Sequence, residues 1–245
     1  MPFVTGLGWV TVRGMGCGRD HPGFQMTTGS LSSISRKSVT DRPFPHFGRM
    51  DAFSRLGLAG IACGLRDAGL QDWTEKRPIG VIASTVYGCH QTDRAYFDTV
   101  MQDNGLSPSP ALFSYTLPNC FLGEAAEHFG ITGLSYVIHD SQFARLSSLK
   151  ALLLNMRFHA FEKALAGIVD EHCPEHSCSL MQTVPGAAFV MIEEVPSTAR
   201  RPYGRVELAK KGEVLLDGKK QDTLIQLIQE CLTRYHGSHP GCEES

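Results

Sequence analysis

Four short apolar runs rich in β-branched residues, Ile79 to Ser84, Leu134 to Ile138, Ala164 to Val169 and Ala187 to Glu193, are set among stretches whose apolar residues recur at helical spacing. Strands apolar on both faces are buried strands, and strands alternating with helices restrict the chain to a layered α/β sheet rather than a bundle or a sandwich. Met50, Phe53, Leu56, Leu58, Ile61, Ala62 and Leu65 mark a helix that stops at Ala68-Gly69. Gln91 to Gln102 and Gly123 to Phe129 are further helical segments. Leu134 to Ile138 leads straight into a helix from Gln142 to His159 that carries Phe143, Leu146, Leu149, Leu152, Leu153 and Met156. At roughly 1.5 kcal/mol each, burying those six contributes on the order of 9 kcal/mol. Phe3 to Val12 opens the chain as a strand, and Gly14 to Gly48 reads as a long loop of the functional or disordered kind. Gly204 to Ala209 is another strand, and Lys220 to Tyr235 is a helix whose apolar face leads to a polar end from His236. The sequence has no internal repeat.

Composition enters as a set of exclusions. With 42% apolar and 20% charged residues the chain is that of a globular protein. Lysine plus arginine number 23 against 25 acidic residues, and a net charge of -2 gives no overall attraction to nucleic acid or an anionic membrane. No apolar run approaches the roughly 20 residues of a membrane span, and the start, Met1-Pro2-Phe3-Val4, lacks an export signal, so the chain reads as cytoplasmic. Eight dispersed cysteines in that setting are expected to be reduced thiols.

Several local groups carry chemistry-bearing residue types. His172, Cys173, His176 and Cys178 are zinc donors by type, yet they lack the paired spacing and the second distant pair of a zinc site, and a polar loop is the better reading. His139, Asp140 and Ser141 hold the residue types of a hydrolytic triad, but neighbours in a strand alternate faces and do not converge. Glycines 6, 8, 14, 16 and 18 run into coil without the helix and acidic residue of a dinucleotide site, and read as turn glycines. The pairs Lys210-Lys211 and Lys219-Lys220 read as solvated charge available to an acidic carrier protein.

Six words in fixed order go further: Val4-Thr5-Gly6-Leu7-Gly8-Trp9, Arg49-Met50-Asp51-Ala52-Phe53-Ser54, Gly80-Val81-Ile82-Ala83-Ser84, Asn119 to Gly123 before Phe129 to Ser135, Ala164 to Asp170, and Gly186 to Glu193. Together they resemble the amino-terminal half of a β-ketoacyl synthase, a thiolase-fold enzyme. The resemblance implies a single thiolase-like half, a layered mixed α/β sheet, over residues 1–209, with 210–245 as a carboxy-terminal helix and polar tail. In that family a nucleophilic cysteine sits at the start of the helix after the Gly-x-Ser word and its strand, where the helix dipole favours the thiolate. Counting from Gly133 places Gln142 there, and a carboxamide forms no thioester. The second half, which supplies two histidines and a lysine for condensation, has no counterpart in this sequence.

Glutamine at that position resembles chain-length factors, the non-condensing partners in heterodimeric type II ketosynthases, and loading-module ketosynthases that only decarboxylate, which still need the histidines of the second half; the short, single-half form is similar to partner subunits of aryl polyene and related pigment pathways. The resemblance therefore implies no catalytic residue of its own, no cofactor, and two partners: a catalytic ketosynthase subunit and an acyl carrier protein whose acyl-phosphopantetheine enters that subunit. It also implies that the far end of the acyl tunnel is walled by Leu112 and Phe113, with Tyr87, Tyr115 and Phe121 as further wall residues. Aromatics beside strands also serve as interior packing, which is the plainer role for the same five side chains. The competing reading is a stand-alone acyltransferase or hydrolase using a serine or cysteine elsewhere, and a third is a metal-binding interaction module on the Cys/His loop.

Overall fold

The computed structural model describes residues 1–102, 104–140, 145–171 and 184–237. Nine strands form one mixed sheet: β1 Phe3–Thr11, β2 Gly14–Cys17, β3 Ile79–Thr85, β4 Ser135–His139, β5 Lys163–Asp170, β6 Gly186–Glu193, β7 Gly204–Leu208, β8 Val214–Leu216 and β9 Lys219–Gln221. Their spatial order is β4-β3-β5-β6-β1-β7-β8-β9, with β2 hydrogen-bonded to the end of β1. The first three in that order run parallel, and β6 is antiparallel to both β5 and β1. Alternation along the central strands divides their side chains between two cores. Leu165, Val169, Phe189 and Met191 point into one, and Ala164, Ala166, Ile168, Val190 and Ile192 into the other.

Helices α1 Arg36–Val39, α2 Ala52–Ala68, α3 His90–Gln102, α4 Pro110–Phe113 and α5 Cys120–Phe129 precede β4 in the chain, and α6 Ser147–Arg157 and α7 Leu224–Gly237 follow it. The first core lies under α2, which begins where Asp51 Oδ1 accepts the Ser54 amide at 2.9 Å and ends at the left-handed Gly69 (φ 74°). Helix and sheet approach so closely that a Cβ on Gly8 would fall onto the backbone nitrogen of Gly64. Gly6 and Gly8 are therefore contact positions inside β1, not turn glycines as expected; Gly14 (φ 118°) does turn the chain.

The loop expected over Gly14 to Gly48 instead begins as β2 and then lies across α2 as a strap, burying Val39, Phe44, Phe47 and Met50 in the first core. With Phe121 and Phe129 of α5 on its other flank, α2 is buried along nearly its whole length. The strap is fastened by His128, whose ring stacks on Phe44 at 4.3 Å and 4°. Burial, and then the Arg42 cation, lower the His128 pKa. A histidine held neutral takes up fewer protons folded than unfolded below the unfolded pKa of about 6.5, so its contribution is complete above that pH and is lost as pH falls. Thermal melts between about pH 7.5 and 5 are expected to drop more steeply for the natural sequence than for His128→Phe; parallel curves would remove His128 as the fastener.

The second core collects Leu149, Leu152, Leu153 and Met156 of α6 with Leu224, Leu227, Ile228, Cys231 and Leu232 of α7. Two expectations about helix starts are corrected here. Helix α6 begins at Ser147, with Leu146 as its N-cap and Arg145 at φ 52°, so β4 does not run straight into it. Helix α7 begins at Leu224 because Lys219–Gln221 is a strand, paired to β8 across an Asp217-Gly218 turn with φ of 47° and 82°. Asp-Gly with both residues left-handed marks a tight hairpin, a sequence signal for β8 and β9.

Candidate functional site

At the carboxyl ends of the parallel strands, the end of β3, the two residues after it and Arg145 converge on one carboxylate. Asp170, last in β5 and 2% exposed, accepts the Thr85 hydroxyl and the Val86 amide at 2.9 Å each and the Tyr87 amide at 3.2 Å through Oδ1. Its Oδ2 takes Arg145 at 2.6 Å. Asp140 is likewise buried, and its amide donates to the Thr85 carbonyl at 2.9 Å. Asp140 and Arg145 are thus both tied to the end of this sheet. Between them lie Ser141, Gln142, Phe143 and Ala144, which are outside the described residues, as is the His172 to Cys178 group. His139 is exposed at the end of β4 whereas Asp140 is buried, so these two do not converge as a triad would require.

Glu171 stands next to this cluster, and burial, with the Asp51 carboxylate adding to it, pushes its pKa up to about 7. Burial also drives the Cys89 thiol up to about 12, helped by Asp93 and Asp51, and raises Cys120 and Cys231. These thiols are protonated at neutral pH and are poor nucleophiles. Among the described residues no group of three or more His, Cys, Asp and Glu side chains is arranged to hold a metal.

Beyond β3 the chain makes an excursion that barely touches the core. In α3 the one buried side chain is Thr92, anchored to Asp51 at 2.6 Å, and α4 buries none. Phe97 is 58% exposed, Met101 62%, Leu106 85%, Phe113 61% and Leu117 61%, a run of large apolar side chains along one excursion. Such a surface on a folded protein marks a contact with another molecule. Beside it in sequence, β4 forms the end of the sheet, paired only with β3 among the described residues.

The five side chains expected at the tunnel wall do not share one environment. Phe113 is exposed and packs on Tyr96 at 5.4 Å; Leu112 beside it and Tyr87 are half-buried. Tyr115 is buried and donates to Glu124 at 2.8 Å, which together with burial raises its pKa. Phe121 is fully enclosed, edge-on to Phe53 at 5.8 Å and against Gly57. The apolar residues Phe97 and Met101 were missed because a helix with charged residues between its apolar ones reads as an ordinary amphipathic face.

Residues 37–188, more than half of the chain, match the family of the β-ketoacyl synthase N-terminal domain. No curated protein sequence matches. Among solved structures, the ishigamide ketosynthase/chain length factor superimposes with a TM-score of 0.66 at 14% identity, over 84% of this chain and 65% of that one. A ketosynthase (ApeO) in complex with its chain length factor (ApeC), from Xenorhabdus doucetiae, gives 0.52 at 16% identity over 80% of each chain. A β-ketoacyl synthase from Burkholderia phymatum STM815 gives 0.62 at 16%, over 84% of this chain and 62% of that one. The fold is theirs, and the chain spans about two thirds or less of the length of two of these three. No helix among the described residues is long and apolar enough to cross a membrane.

Proposed function

This chain belongs to the β-ketoacyl synthase family, and on that premise we propose that it is a non-condensing, chain-length-factor-like subunit. It pairs with a catalytic ketosynthase and shapes the acyl tunnel during iterative elongation of carrier-bound chains. The observation that carries this reading is the segment from Asp140 to Arg145. Both of its ends are tied to the sheet, and its sequence, with Gln142 where the resemblance sets the nucleophile, contains no cysteine. Without a thiolate or another ionised nucleophile in that place, no acyl enzyme forms there. Cys63, Cys89, Cys120 and Cys231, whose pKa values are all raised, are poor candidates for the nucleophile of a stand-alone acyl transferase, and Cys17 is buried at 5% exposure away from the Asp170 cluster.

The pairing surface in this reading is the α3–α4 excursion together with β4, whose open edge offers backbone groups to a strand of the partner. Leu112 and Phe113 lie on that surface and take the wall role, while Tyr115 and Phe121 hold the excursion to α5 and α2. The acyl-phosphopantetheine arm enters the catalytic subunit, and this chain needs no cofactor of its own. Its place of work is the cytoplasm, alongside the carrier protein.

The test is an elongation assay with malonyl-loaded carrier protein. The purified chain is expected to give neither product nor covalent acyl adduct, and Gln142→Cys alone is expected to do no better. The chain co-purified with its ketosynthase is expected to yield product. An acyl adduct on the lone chain by intact-protein mass spectrometry overturns the reading.

A further inference from the structure

We propose that Cys17 and Cys63 are a peroxide-responsive thiol pair that closes to a disulfide and staples the start of the strap to the body of α2. The two residues are 46 apart in sequence, and the Cys17 thiol donates to the Cys63 carbonyl at 3.5 Å. Their closeness is built by the fold. Cys17 sits opposite Gly8 in the β1–β2 pairing, and a Cβ on Gly8 would lie 2.7 Å from the Cys63 Cβ. With no side chain at Gly8, helix α2 settles onto β1, and Cys63 comes down beside the neighbouring strand. Both cysteines are buried, at 5% and 1% exposure, with Cys17 the more accessible.

The two thiols also differ in acidity. The Cys63 side chain, rather than the carbonyl to which Cys17 donates, lowers the Cys17 pKa against the opposing effect of burial, with Arg66 adding to the lowering. The Cys17 side chain, then burial, raises the Cys63 thiol well above the ordinary range. Cys17, the more exposed of the two, meets peroxide first, and that sets the order of events. Cys17, as thiolate, attacks one oxygen of hydrogen peroxide; the O–O bond breaks, hydroxide leaves and takes a proton to become water, and Cys17 becomes a sulfenic acid. The Cys63 sulfur then attacks the Cys17 sulfur, the S–O bond breaks, and the departing hydroxide carries off the Cys63 proton as a second water. Two thiols and one peroxide give one disulfide and two waters.

The loop so closed holds β2's exit, the buried strap residues Val39, Phe44, Phe47 and Met50, and α2 as far as Cys63. Closing a loop of that length is expected to raise the melting temperature by on the order of 10 °C. The full chain, treated with millimolar hydrogen peroxide and then alkylated, is expected to lose about 2 Da and two alkylation sites, with peptide mapping joining residues 17 and 63. Dithiothreitol is expected to restore both sites. The natural sequence carries the test, so it does not depend on a variant that folds. Cys17→Ser, checked by circular dichroism, is expected to abolish the loss of about 2 Da while the remaining cysteines still alkylate. Oxygen addition without a cross-link, a disulfide joining a different pair, or full alkylation of both after peroxide overturns the proposal.

Discussion

Replacing Asp67 with alanine is expected to cost about 3–5 kcal/mol of stability, enough to leave much of the chain unfolded at physiological temperature. Asp67 is 2% exposed and lies in the last turn of α2. Its carboxylate accepts the Leu7 amide at 2.7 Å, the Arg19 amide at 2.8 Å and the Tyr203 hydroxyl at 2.8 Å. Its carbonyl takes Arg19 Nε at 2.9 Å and Arg200 at 2.8 Å. Arg19 continues the network to the Thr5 and Arg201 carbonyls and the Tyr235 hydroxyl, and stands 5.2 Å over the rings of both Tyr203 and Tyr235.

One side chain therefore joins β1, α2, the start of the strap, the approach to β7 and helix α7. Removing it strands the Leu7 amide and the Tyr203 hydroxyl in the interior, where unpaired polar groups are expensive. Burial raises the Asp67 pKa while the two amides and Tyr203 pull it down, so the group sits in a balance that its hydrogen bonds maintain. Asp67→Asn keeps an acceptor and is expected to lose about half as much. Urea midpoints of the two variants measure both values, and a loss under about 1 kcal/mol for Asp67→Ala would show that the network is redundant.

The second large effect concerns association. Phe97→Asp is expected to weaken binding of the ketosynthase subunit by about 100-fold or more while leaving the melting temperature of the isolated chain within about 1–2 °C. Phe97 is 58% exposed on a helix that buries only Thr92, so little of the fold rests on it. A charge placed there must be desolvated when a partner covers the surface. Phe113→Ala, by contrast, is expected under the proposed function to keep the pair together and lengthen the acyl product, since it removes volume at the proposed wall. Calorimetric titration with the partner subunit and product profiling separate these outcomes. Unchanged affinity for Phe97→Asp would place the interface elsewhere.

Sequence patterns reach furthest in this chain where local chemistry and tertiary environment agree. Helix α2 is announced by Asp51, whose carboxylate caps it, and by Gly69, whose left-handed turn ends it. Strands β3, β5 and β6 are legible because both of their faces are buried, which leaves an unbroken apolar run. Strand β2, Gly-Met-Gly-Cys, has no such run and owes its form to pairing with β1. The strap was unreadable for a related reason: Phe44, Phe47 and Met50 recur every third residue, but only one short 3-10 turn forms there, and packing on α2 explains their burial.

Of the candidate site, the lack of a cysteine between Asp140 and Arg145 is plain from the residues alone. The two anchors that bracket this stretch are not, because Asp170 and Arg145 are 25 positions apart and meet only through the sheet. Likewise Phe113 and Phe121 look alike as words in a sequence, yet one is 61% exposed and the other sealed under Gly57. Periodicity alone cannot tell an aromatic that waits for a partner from one that already has its neighbours.

The unequal ends of the sheet bear on what the molecule does at high concentration. At one end β4 offers five residues to a neighbour; at the other β9 has three, two of them lysines engaged with Glu230, Glu213 and Asp222. Charged, abbreviated margins resist further strand addition. In the proposed pairing, strand addition is thus confined to the β4 margin, and the β9 margin is closed to it.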